Sequence, residues 1–311
     1  MSAMFGRAQG DLARTRMVIG DHIETSGNAD CLRAAAKLFD WECGFLDDRD
    51  DSVDLRSLSR SGVPILAIEN AGGAEDLFRY RPPPPPFAVV VGNERYGLSH
   101  QVLRLADRVL QIPVGSVHIN TVNVAAAAGI AMHQLSHAGA SRLGARGGGG
   151  ARPALLLTGT TDAIELGSAI RSAACFGWSR LFLDDTRRTW FAADRVTRSL
   201  ARGASRGARN PIRVFPMHAH SLFDDVCVIT AHGDGVPLRR AGLARGPGQL
   251  VVIPDPEAEL DEASLLRLGR RMRRVRLEVE PGQPCPYRLM ASIAIAEIAR
   301  QAGGLRTVAS A

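Results

Sequence analysis

A chain that repeats its own order of strand and helix signals is constrained to fold as two units of one kind, and this sequence repeats itself in two places. "FDWECGFLDD", Phe39 to Asp48, returns in part as "FGWSRLFLDD", Phe176 to Asp185. Further on, "FAVVVGNERYGLSHQVLRLADRVLQIPV" is matched by "LVVIPDPEAELDEASLLRLGRRMRRVRL", and the helix-like run "NVAAAAGIAMHQLS" lies over "PYRLMASIAIAEIA". In both copies short β-like apolar runs alternate with Ala-rich helical ones, the pattern of a parallel sheet covered by helices. Tandem duplication accounts for this, so the expected fold class is α/β with two tandem domains at residues 14–137 and 153–303. Between them, residues 138–152 run through "AGASRLGARGGGGAR", rich in Gly, Ala and Arg with no apolar period, as a flexible linker does. The second copy is the longer, its extra residues falling around "TRSLARGASRGARNPIRVF".

At 311 residues and 45% hydrophobic content the chain can bury two ordinary cores. Its longest apolar run, "NVAAAAGIAM", is too short to span a bilayer, and residues 1–13 lack a signal-peptide core. The expectation is a cytoplasmic protein with no membrane partner. Five scattered cysteines, Cys31, Cys43, Cys175, Cys227 and Cys285, have no metal-ligand spacing and read as buried thiols. The basic excess lies wholly in residues 151–311, and Lys37 is the only lysine, so the cations are arginines, suited to bidentate phosphate contact. Genomic base composition can favour Arg over Lys as well, so charge alone leaves nucleic-acid binding open. "RPPPPPF", Arg81 to Phe87, reads as a stiff connector into the apolar run "AVVV".

"VVVGNERYGLS" followed by "IPVGSVHINTVNVAAAAGIAM" resembles motifs 2 and 3 of the knotted SPOUT methyltransferases, in particular the TrmH-type RNA ribose 2'-O-methyltransferases. The matching positions are Gly92, Glu94, Gly97 and Leu98, then Ile112, Pro113, Gly115, Thr121, Val122, Asn123 and Val124. The resemblance implies a trefoil knot whose loops hold S-adenosylmethionine in a bent shape. It places the cofactor against Ile68, Gly92, Asn93, Glu94, Gly97, Leu98, Ile112, Val114, Thr121, Val122 and Asn123. These residue types suit such a loop, since glycines let main chain turn and approach a ligand closely, and Ile112 and Val122 offer apolar flanks for an adenine. Glu94 is expected to brace the knot. Thr121 replaces the usual serine, and the segment from Pro113 to Asn123 is one residue longer than the family pattern.

The family's motif 1 reads Asn-x-Gly-x-x-x-Arg-x-Ala-x-x-Phe-Gly, and its arginine is given the catalytic role. "ELGSAIRSAACFGW" in the second copy fits from Gly167 through Arg171 to Gly177, with Glu165 at the asparagine position. "NADCLRAAAKLFDW" in the first keeps Asn28 but has Ala34 at the arginine position and Asp40 at the glycine. Arg33 is one place away, and one residue turns a helical side chain by about 100°, so Arg33 points elsewhere. Conversely, Pro254, Pro256 and Pro286 stand in the second copy where the knot motifs need Gly, Glu and Asn. Ser205, Arg202, Arg206 and Arg209 resemble or flank the family's substrate-side segment and complete the expected site.

Family members work as homodimers with active sites drawn from both subunits. The resemblance therefore implies a chain that is its own partner, an intramolecular pseudo-dimer with one composite site, in which Arg171 is catalytic, S-adenosylmethionine is the methyl donor, and tRNA or rRNA the acceptor. Two other readings stay open: a methyltransferase for a small molecule, and a protein that binds cofactor or RNA without turnover. Assembly beyond the internal pair is also open.

Overall fold

The computed structural model describes residues 15–47, 49–138, 151–158, 160–192, 212–217, 223–243, 246–256 and 262–307. By contact the chain divides into two units. The first holds the described residues up to Pro113, from Asn123 to 138, and Thr307; the second holds Val114–Val122 and the described residues from 151 to Arg306. This differs from a single cut in the linker at two places, Thr307 and the segment Val114–Val122, whose packing belongs to the second unit.

In the first unit the elements are β1 (Arg16–Gly20), α1 (Ser26–Leu38), β2 (Glu42–Phe45), α2 (Leu55–Arg60), β3 (Ile65–Ile68), β4 (Glu75–Asp76), β5 (Phe87–Val91), α3 (His100–Leu105), β6 (Arg108–Gln111) and α4 (Val124–Ser136). The sheet order is β2-β1-β5-β3-β6-β4, with every pairing parallel. β3 and β5 are buried along their whole length, which is why they read as unbroken apolar runs rather than as alternating ones. Ile65 and Ala67 of β3 and Ala88 and Val90 of β5 pack with Leu55 of α2 and Val102 of α3. α1 packs against α4, and Ala29, Ala35 and Ala36 of α1 and Ala128 and Ala131 of α4 are buried.

In the second unit they are β7 (Ala154–Thr158), α5 (Ala163–Cys175), β8 (Arg180–Asp184), β9 (Arg213–Pro216), β10 (Asp225–Thr230), β11 (Val236–Pro237), β12 (Gln249–Pro254), α6 (Glu262–Leu266), β13 (Met272–Arg276) and α7 (Tyr287–Ala302). The order β11-β13-β10-β12-β7-β8-β9, read from the other edge, is that of the first sheet with β9 added outside β8. α5 packs against α7 as α1 does against α4.

The matched sequence stretches have matched local structure. Trp41 N–H donates to Ala36 O at 2.9 Å, and Trp178 N–H to Ala173 O at 2.9 Å. The residue between helix and tryptophan is left-handed in both copies: Gly177 at φ 92° and Asp40 at φ 54°. None of the five cysteines is in a disulfide, and burial pushes the Cys43, Cys175 and Cys227 thiols up to about 12. Among the described residues no helix is long and apolar enough to cross a membrane.

Candidate functional site

β5, β3 and β6 are neighbours, and their register puts Val91 beside Ile68 and Ile68 beside Leu110. The loops leaving these strands therefore start from one edge of the first sheet, the carboxyl edge where ligands of parallel sheets bind. Ile68, Gly92 and Ile112 come together there. Ile68, Leu98 and Ile112 are buried but keep 7 to 8% of their surface, while most strand-interior neighbours keep none.

The loop after β5 turns back on itself: Asn93 N–H donates to Gly97 O at 2.9 Å and Gly97 N–H to Asn93 O at 3.0 Å. Both glycines are required by this turn. A Cβ on Gly92 would lie 2.4 Å from the Gly97 carbonyl carbon, and Gly97 has φ of 72° with Glu69 Oε2 where its Cβ would go. Glu69, at the start of the loop after β3, accepts from Asn70 N–H and Leu98 N–H at 2.8 Å each. The sequence alone marks this loop as the stretch "LAIENAGG" and names Ile68 in it without singling out Glu69. The only signal for Glu69 is its place one residue past a buried strand, facing a glycine that only the fold brings near.

Glu94 braces the loop. Its carboxylate accepts from Glu24 N–H (2.9 Å), Thr25 N–H (3.1 Å), Thr25 Oγ1 (3.0 Å) and Asn28 Nδ2 (2.8 Å). Partial burial pushes its pKa up, but the Asn28 amide and the Glu24 and Thr25 main-chain donors outweigh that and hold it below the ordinary glutamate range. Asn28 Oδ1 in turn accepts from Asn123 Nδ2 at 3.0 Å, and Asn123 Oδ1 caps α4 through Ala125 N–H (2.9 Å) and Ala126 N–H (3.3 Å). One residue from each of motifs 1, 2 and 3 thus joins a single hydrogen-bonded chain within the first unit. Thr25, at the N-cap of α1, makes no side-chain cap, because its hydroxyl goes to Glu94.

Val114, Thr121 and Val122, also expected at the cofactor, lie in the second unit. Val114 exchanges main-chain hydrogen bonds with Arg306 at 2.9 Å, and Gly115 and Ser116 N–H both donate to Cys175 O at 3.0 Å. A Cβ on Gly115 would meet Phe176 O at 2.6 Å, so only glycine passes there. Arg171, on α5, donates from Nε to Thr121 O at 2.9 Å and from Nη2 to Thr121 Oγ1 at 2.7 Å. Glu165 does not compete for it: its carboxylate takes the Arg288 main-chain N–H at 2.8 Å and the Arg288 side chain. Arg33 points elsewhere, holding Asp51 through two bonds of 2.8 and 3.1 Å and lying 4.7 Å over the Phe45 ring. Arg202, Ser205, Arg206 and Arg209 lie outside the described residues. Among the described residues no cluster of His, Cys, Asp and Glu could hold a metal ion.

The edge suits a nucleoside-bearing cofactor. Ile68 and Ile112, buried but not wholly covered, lie at or just past adjacent strand ends, and the loops beside them are main chain held in shape by Glu69 and Glu94.

Residues 17–133 match the family model of the SpoU rRNA Methylase family. No curated protein matches the chain. Among solved structures it is similar to the SpoU methyltransferase AviRb from Streptomyces viridochromogenes in complex with AdoMet, at 16% identity over 40% of this chain and 58% of that one, TM-score 0.34. It is similar also to TrmJ from Z. mobilis ZM4, at 20% identity over 48% of this chain and 69% of that one, TM-score 0.38. A third is the A. aeolicus TrmH/SpoU tRNA modifying enzyme, at 16% identity over 40% of this chain and 75% of that one, TM-score 0.36. The chain spans about three-fifths of the length of the first structures it matches. The family match begins in β1 and ends within α4, so the segment that resembles a SpoU methylase is the one whose three motifs interlock through Glu94, Asn28 and Asn123.

Proposed function

We propose that this protein is an S-adenosylmethionine-dependent methyltransferase that modifies a ribose 2'-hydroxyl of tRNA or rRNA, with one active site per chain. The observation that carries the reading is the SpoU match over residues 17–133 together with the hydrogen-bonded joining of its motif residues. The cofactor would be held by Ile68, the loop from Gly92 to Leu98, Ile112, Val114 and the segment Thr121–Asn123. Bound there, S-adenosylmethionine supplies an electrophilic methyl group on a positively charged sulfur.

A neutral ribose hydroxyl is a poor nucleophile, so the protein must align it and stabilise the negative charge that builds on its oxygen. Arg171 supplies that charge in this reading. Its hydrogen bonds to Thr121, two residues before Asn123 in the chain, support a place for it beside the motif 3 loop. A guanidinium stays protonated, so its part is electrostatic and positional rather than proton abstraction. The tandem origin, the knot and the pseudo-dimer belong to the same proposal, supported by the repeated strand order of the two sheets. Arg202, Ser205, Arg206 and Arg209 would meet the RNA backbone, along with the exposed Arg187 and Arg188.

Mass spectrometry of nucleosides from bulk RNA of a wild-type and a deletion strain tests this. Loss of one 2'-O-methyl nucleoside, restored by the wild-type gene and not by Arg171→Ala, is the expected result. Unchanged RNA alongside intact cofactor binding would point to a small-molecule acceptor or to a binding protein.

A further inference from the structure

Arg171 cannot accept a proton, which leaves the proton of the acceptor hydroxyl without a destination. We infer that His22, backed by Asp21, is the proton acceptor for methyl transfer, an inference that rests on the methyltransferase reading above.

The two residues follow β1, on the same sheet edge as the cofactor loops, and they are fastened at one point to the end of β5 and at two to the segment after it. Asp21 N–H donates to Val91 O at 2.9 Å, Asn93 Nδ2 donates to His22 O at 2.6 Å, and Ser99 N–H donates to Asp21 Oδ2 at 2.6 Å. Asp21 is 1% exposed, yet the His22 side chain keeps 63% of its surface. A carboxylate only accepts, so the 2.6 Å contact between His22 Nδ1 and Asp21 Oδ1 has the imidazole donating. That places a proton on Nδ1, so in the neutral imidazole Nε2 is the acceptor on an accessible ring, the arrangement of a carboxylate-oriented general base.

His22 has φ of 51°, a left-handed conformation that costs a non-glycine residue free energy and is kept where surrounding contacts impose it. Here Asn93 and Asp21 impose it, one on the main chain and one on the ring. Other charged groups on this part of the loop are Glu24 and Arg95, paired at 3.0 Å, Glu94, which accepts from Glu24 N–H at 2.9 Å, and Arg49, which donates to Ile23 O at 2.6 Å.

In the step itself the acceptor O–H proton passes to His22 Nε2 as the oxygen lone pair forms its bond to the methyl carbon. The carbon–sulfur bond breaks with its electron pair left on sulfur, giving a neutral thioether. Asp21 balances the imidazolium, which then releases its proton to water.

The test uses the full chain, S-adenosylmethionine, and RNA from the deletion strain. Asn and Gly tolerate a left-handed φ, so His22→Asn and His22→Gly remove the base without forcing the loop to move. Both should lower the single-turnover methyl-transfer rate by about 100-fold or more, with the cofactor dissociation constant from calorimetry changed by no more than about twofold, a loss confined to the transition state. Nitrogen-15 spectra of the wild-type imidazole should show the proton on Nδ1, and Asp21→Asn should weaken that signature. Variants within about threefold of the wild-type rate, or a wild-type ring protonated on Nε2 alone, would overturn the inference. If the wild-type chain binds cofactor but methylates no RNA, the functional reading fails instead, and the spectrum still decides whether the dyad exists.

Discussion

Two arginines, Arg33 and Arg171, sit near equivalent places on matched helices and do different work. Arg171 engages Thr121 on the motif 3 segment, whereas Arg33 is spent on Asp51, Asp30 and the Phe45 ring. Arg171→Ala is expected to reduce methyl transfer by about 100-fold or more while the cofactor still binds; Arg33→Ala should leave the rate alone and cost on the order of 1 kcal/mol in chemical denaturation. Asp40 offers a second test of single residues. It holds φ of 54° where its counterpart is Gly177, so Asp40→Gly should stabilise the fold by about 1 kcal/mol, read as a raised denaturation midpoint. That Arg33 turns away was legible from helix geometry alone, since a one-residue slip swings a side chain by about 100°. The pairing of Glu165 with Arg288 was not, because nothing local links residues so distant in sequence.

The loop after β5 is held by its own Asn93–Gly97 turn and by two carboxylates, its own Glu94 and Glu69 from the loop after β3. Glu94 accepts from Glu24, Thr25 and Asn28, and its depressed pKa makes its contribution to stability depend on pH in a definite sense. The contribution is fully present above the ordinary glutamate range and disappears as pH falls through the lower value of the folded protein. Glu94→Gln should therefore destabilise the chain at neutral pH by about 1 kcal/mol, and the gap from wild type should close in acid, as urea titrations at both pH values will show. β3, β5 and α4 could be read from apolar runs because burial on both sides leaves no alternation to confuse with loop. β4 and β11 could not, each being two residues long and without a period to detect. Val114–Val122 is attached to the second unit by main-chain bonds to Cys175 and Arg306 as well as by the Arg171 side chain, and side-chain patterns do not record those main-chain bonds.

Across the whole molecule two sheets share one strand order, yet their carboxyl edges are built for different ends. In the first unit the edge is open-loop main chain around Ile68, Gly92 and Ile112. In the second, Pro254 closes β12, and Tyr287, which lies over Val124 in the aligned repeats, is 4% exposed and donates its hydroxyl to Ile253 O at 3.2 Å. A large aromatic side chain thus sits buried at the carbonyl next to Pro254, and burial holds the phenol well above its ordinary pKa. One working cofactor site is therefore expected, in the half that carries the SpoU match. Titration calorimetry of the full chain with S-adenosylmethionine measures this directly. One molecule bound per chain, lost on Gly92→Val and kept on Arg171→Ala, is the predicted result; two molecules per chain, or binding that survives Gly92→Val, would contradict it.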